Sequence, residues 1–242
     1  MSQVKQQLDR AKAFLVFSAV VTVLLYYVIP YGRTVAYPLM LLSTLAHEMG
    51  HGIAAMLTGA SFEEFHMSSD GSGVALWRGN PGRLARAFIS MGGLVGPAIV
   101  AAVGFALSRD PRRARALLVT MGGVLVISLV LVVRGAFGFG FVTVVAALLL
   151  LIGLKGKPWL SQITAVFLAV QLALSVFSRG DYLFTDVAQT AGGPMPSDTQ
   201  QMADALFLPY WIWGSLVGLI SVAVLFFGLR IFFKDASPPA AA

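Results

Sequence analysis

Two histidines and a glutamate stand where a bilayer-crossing run of apolar residues tolerates them least. His47, Glu48 and His51 fall within Val35–Leu57, a stretch long enough to cross the hydrocarbon core as a helix. Ionisable side chains at that depth are costly, and where they occur they mark a functional site. On a helix, residues four apart lie one above the other, so His47 and His51 present two imidazoles to a single metal ion. Glu48 comes three residues before His51, on the adjoining side of the turn, within reach of a water at that metal. Two nitrogen ligands with a carboxylate base beside them form the pattern of zinc-dependent peptide hydrolysis.

The rest of the chain fixes the solvent around this helix. Of its 242 residues, 57% are hydrophobic and only 12% are charged, about half the charged share of a soluble domain. So little polar material cannot cover a water-exposed surface. The fold class expected is an all-α, multi-pass membrane protein, with residues 1–242 forming one domain. Windows of about 20 apolar residues predict six to seven transmembrane helices. The seven are Ala13–Ile29, Val35–Leu57, Leu84–Leu107, Leu117–Val133, Phe137–Leu154, Leu160–Phe177 and Pro209–Phe233. Lys5, Arg10 and Lys12 precede the first, and no small-x-small cleavage site follows it, so it reads as a retained membrane helix. The formal charge of +6 is scattered over loop ends. That suits contact with lipid headgroups and gives no footprint for nucleic acid.

Two segments are too polar to be spans. Residues 58–82 alternate on both sides of Asp70-Gly71, which predicts a small β-hairpin after the second span. An exposed edge of that hairpin, at Val74 and Leu76, is a candidate for binding an extended substrate by strand addition. Residues 178–208 hold Asp181, Asp186, Asp198 and Asp204 and are broken by Gly192-Gly193-Pro194. Gly92 and Gly96 in the third span form a Gly-x-x-x-Gly face, suited to packing on the motif helix near Gly50 and Ala54.

A catalytic zinc takes three protein ligands and leaves a position open. With no cysteine and only three histidines in the chain, the donors must be nitrogen and oxygen. The remaining histidine, His66, lies in the hairpin and reads as a surface residue. A carboxylate is the better third ligand, and Asp181 and Asp186, just after the sixth span, can both fold back toward the site.

The motif Ala46-His47-Glu48-Met49-Gly50-His51-Gly52, the hairpin, and Met91-Gly92-Gly93-Leu94-Val95-Gly96-Pro97 together resemble the site-2 protease family of intramembrane zinc metalloproteases. The likeness is nearest to a compact bacterial branch in which a Ser/Thr-Asp-(Ala/Val) element supplies the acidic ligand, here Thr185-Asp186-Val187. The resemblance implies one Zn2+ per chain on His47, His51 and Asp186, with Asp181 the alternative, and Glu48 as catalytic base. It also implies a bacterial cell membrane and a transmembrane protein or peptide as substrate. The Asn-Pro and Leu-Asp-Gly elements of many members are missing. An inactive membrane scaffold and a metal-ion transporter are the other readings, and both are disfavoured by the intact glutamate.

Overall fold

The computed structural model describes residues 3–178 and 180–234. Seven helices of 20 residues or more run through it: α1 (Gln3–Val23), α2 (Tyr37–Leu57), α3 (Arg83–Ser108), α4 (Pro111–Leu131), α5 (Ala136–Lys155), α6 (Pro158–Ser178) and a last one, Tyr210–Phe233. The chain is an all-α multi-pass membrane protein with small strand pairs. Five of these helices are long and apolar enough to cross a membrane, among the described residues. The two that fall short are α1 and α2, and the reason is chemical. Lys5, Asp9, Arg10 and Lys12 crowd the first half of α1, and α2 carries His47, Glu48 and His51.

α3 is the hub. In its apolar stretch 56% of the residues are buried, against 28% for α4, α5 and the last helix. Ala98, Ala101 and Phe105 pack with Val166, Ala169 and Val170 of α6 and with Leu225 and Phe232 of the last helix. On another side, α3 lies directly against α2, as the small residues predicted. A Cβ on Gly50 would stand 2.3 Å from the Gly92 carbonyl, one on Gly92 2.5 Å from the Ala54 Cβ, and one on Gly96 2.9 Å from the Ala46 carbonyl. Only glycine lets the two backbones meet this closely.

The predicted hairpin forms from β1 (Ser61–Met67) and β2 (Gly73–Arg78), with a bulge between Phe62 and Glu64. Its buried residues Phe65 and Met67 join Leu41 and Leu45 of α2 in one core. A two-residue strand, β3 (Val133–Arg134), pairs in parallel with β1, giving the order β2-β1-β3 and leaving β2 at the edge. The polar segment after α6 holds more structure than the glycines and prolines suggested. A short turn of 3-10 helix (Gly180–Phe184) leads into a second hairpin, β4 (Val187–Thr190) and β5 (Gly193–Pro196), and then α7 (Asp198–Leu206). The last helix, Tyr210–Phe233, is α8.

Candidate metal centre

α2 sets both histidines toward α3 and α7. Their Nε2 atoms lie 3.1 Å apart. The third group facing them is Asp198: its Oδ2 is 3.1 Å from His47 Nε2 and its Oδ1 is 3.3 Å from His51 Nε2. Among the described residues these three offer one ligand atom each, all within 4.8 Å of one another. Zinc–nitrogen bonds of about 2.1 Å in a tetrahedron put neighbouring donors about 3.4 Å apart, so the separations fit a single ion.

The surroundings of His51 support the same fit. Its Nδ1 donates to the Ile89 carbonyl at 2.8 Å, which fixes the tautomer that leaves the Nε2 lone pair for a metal. Gly93 backs the ring: a Cβ there would stand 2.2 Å from His51 Nε2. Gly93→Ala is therefore expected to push the imidazole off its ligand position. By analogy with lost outer-shell support, zinc affinity in chelator competition should fall about 10- to 100-fold. Gly123→Ala, where a Cβ meets nothing within 4 Å, should leave it unchanged.

Among the described residues, the carboxylate that faces the histidines is Asp198, and not Asp186 or Asp181. Asp186 is exposed, at the bend before β4, and the side chain of Asp181 lies outside the described residues. The chain runs out through β4 and β5 and returns before it presents an acid to the histidines. Asp198 opens α7, where a negative charge suits the helix N-terminus. Ser197 is the cap: its hydroxyl accepts from Gln200 N–H at 3.1 Å and donates to the Thr185 carbonyl at 2.6 Å. Thr199 Oγ1 donates to that same carbonyl at 3.2 Å. The sequence did hold a signal, since Ser197-Asp198-Thr199-Gln200 reads as a capping box. Burial pushes the Asp198 carboxyl up, but the charges and hydrogen bonds of His51 and His47 outweigh it and hold the group below the usual carboxylate range.

Tyr182 is a site residue that the sequence did not reveal. Its ring stands edge-on to His47, 6.0 Å between centroids, and its hydroxyl is 3.5 Å from Asp198 Oδ2. Leu183, beside it, packs so closely on α8 that a Cβ on Gly214 would stand 2.0 Å from the Leu183 carbonyl. His66 is turned away and pairs with Glu64 at 2.8 Å on the hairpin surface.

Glu48 is buried next to the cluster and is not one of its three ligand residues. It lines two adjoining cavities, one of about 490 Å³ and one of about 310 Å³, together with His47 and Tyr182. Edge strand β2 bounds the smaller cavity, with Val74 and Leu76 both in its lining. The ladder tells which backbone groups point outward. Phe65 N–H donates to the Val132 carbonyl on the β3 side, at 2.7 Å, so Phe65 and its partner Ala75 do not exchange ladder bonds. The N–H and C=O of Ala75 therefore face the cavity, where the Glu48 carboxylate meets Ala75 N–H.

A family model described as Peptidase M50B-like matches residues 17–228, a span that contains every residue of this site. No curated protein and no solved structure matches the chain.

Proposed function

The chain belongs to the Peptidase M50B-like family, the site-2 protease family, and on that premise we propose that it is an intramembrane zinc endopeptidase cutting membrane-spanning substrates. Family membership supports an integral-membrane metallopeptidase. The finer reading is carried by one observation: His47, His51 and Asp198 converge with metal-ligand spacing while Glu48 stays outside the ligand set, facing the same cavities.

A zinc ion on His47, His51 and Asp198 would supply Lewis acidity to a water and to the scissile carbonyl. Glu48 takes the proton of that water and later hands it to the leaving amine. Its burial against the cluster keeps the carboxylate at one spot between the two transfers. The Ile89 carbonyl holds His51 at Nδ1 and Gly93 backs its ring, so Nε2 stays aimed at the metal position. A substrate helix hides its own peptide bonds and must unwind before cleavage, and hydrocarbon offers nothing to the freed backbone groups. The outward C=O of Ala75 offers a partner, so the unwound segment adds to β2 as a further strand beside Val74 and Leu76. A transporter has no use for a carboxylate poised beside the ligands instead of among them. The likeness to a compact bacterial branch supports a bacterial cell membrane.

The test is cleavage in proteoliposomes. Purified protein is expected to cut a membrane-spanning reporter, to stop when zinc is chelated, and to recover when zinc is restored. A zinc-loaded protein that leaves such reporters whole would instead mark a binding scaffold.

A further inference from the structure

The two hairpins meet at their turns. In the first, Ser72 donates from both N–H and hydroxyl to Asp70 Oδ1, at 2.9 and 2.7 Å. These bonds hold the Asp70 carboxyl below its ordinary value, so it stays an ionised acceptor and the Ser72 hydroxyl proton is committed to it. The lone pairs of that hydroxyl oxygen then accept from Ala191 N–H, at 3.2 Å, in the turn of the second hairpin.

One side of this contact is fixed. Thr44 Oγ1 donates to the Gly71 carbonyl at 2.8 Å and Tyr37 hydroxyl to the Ser69 carbonyl at 2.6 Å, so α2 holds the first turn. The second hairpin is anchored at its base, where Ser197 N–H donates to the Asp186 carbonyl at 2.9 Å. Its tip is thus the part free to swing about a hinge at Thr185–Asp186 and Ser197.

The contact also has a definite place relative to the catalytic groups. Gly73 and Thr190, the residues next to it, line both cavities, as do Glu48 and Ala188. It therefore lies beside the boundary between the cavities. An endopeptidase substrate is a continuous chain that leaves the site in two directions. A chain laid past Glu48 from one cavity to the other passes Gly73 and Thr190, the neighbours of the two residues that make the Ser72–Ala191 contact.

We propose that the second hairpin is a hinged strap of the substrate groove, admitting an extended apolar peptide segment when the Ser72–Ala191 contact opens and closing over it afterwards. The inference rests on the endopeptidase reading above. Ala188, Thr190 and Met195 share one face of the strap by strand alternation and register, and all three line the smaller cavity opposite β2. Pro194 and Pro196 leave half of β5 without N–H groups, so that strand is a poor template for pairing. The strap contributes a side-chain wall and β2 contributes the pairing edge. Away from the metal cluster and Glu48, that cavity is lined mainly by apolar side chains, among them Val74, Leu76, Trp77 and Met195, which selects apolar side chains in the bound segment.

The chain has no cysteine, so a Ser72→Cys/Ala191→Cys pair can be bridged cleanly with dibromobimane, which fluoresces when it spans two thiols. The reporter is a membrane-spanning segment with a folded domain at each end, which cannot thread end-first. Bridging is expected to lower its cleavage at least tenfold, with zinc still at one per chain and both single-cysteine variants unaffected by the reagent. A bridged protein that cuts at the unbridged rate overturns the strap, and so does a pair that dibromobimane fails to bridge. If wild type and the unbridged pair are both inactive, the endopeptidase reading itself fails.

Discussion

Asp198→Ala is expected to strip zinc from the purified protein, while Asp186→Ala keeps about one ion per chain. Losing an outer-shell partner costs 10- to 100-fold in metal affinity, so losing one of three direct ligands should exceed about 100-fold. The remaining pair, His47 and His51, would then face each other at 3.1 Å with no carboxylate to offset the charge of a divalent ion. Elemental analysis of the two variants beside wild type decides between the acids. Zinc lost with Asp186→Ala and retained with Asp198→Ala would reverse the ligand assignment. Because Asp198 also sits at the first turn of α7, a second variant guards against simple unfolding. Asp198→Asn keeps the side-chain volume and an acceptor for Tyr182 but removes the charge, and it should lose zinc while leaving the helical circular dichroism intact.

The two acids also show what a sequence can and cannot disclose. His47, Glu48 and His51 are related by one helical turn, so their spacing alone dictates that they share a face. The third ligand depends on contacts made across the fold. Thr185-Asp186 and Ser197-Asp198 both offer a hydroxyl residue followed by an acid, and ten residues separate the pairs. Choosing between them requires knowing that β4 and β5 carry the chain out and back in that interval. The capping-box pattern at Ser197 marks a helix start but not what that helix faces. Gly92 and Gly96 were readable as a close-approach surface, because a small-residue stripe has few other uses in a membrane. The seat that Gly93 gives His51 was not, since it depends on the register between α2 and α3. The same holds for β3. Two residues carry no periodicity, and only the parallel pairing of Val133 and Arg134 with β1 reveals them as a strand.

Glu48→Gln carries the largest effect on the reaction itself. The amide keeps the shape of the side chain and can still lie against the Ala75 edge, but it cannot hold a proton between water and leaving amine. General acid–base assistance is worth about 10²- to 10⁴-fold in rate, or about 3 to 5 kcal/mol of barrier. Cleavage of a membrane-spanning reporter in proteoliposomes should fall by that factor. Zinc content should stay at wild-type level, because the carboxylate is not one of the three groups gathered for the metal. The split between the two readouts is what matters. Activity and zinc lost together would make Glu48 a ligand, and activity retained would take the proton transfer away from it. With zinc kept and cleavage lost, the variant also becomes a trap: it should hold an uncut substrate in the groove between β2 and the second hairpin, where crosslinking from Val74 or Met195 can read its register.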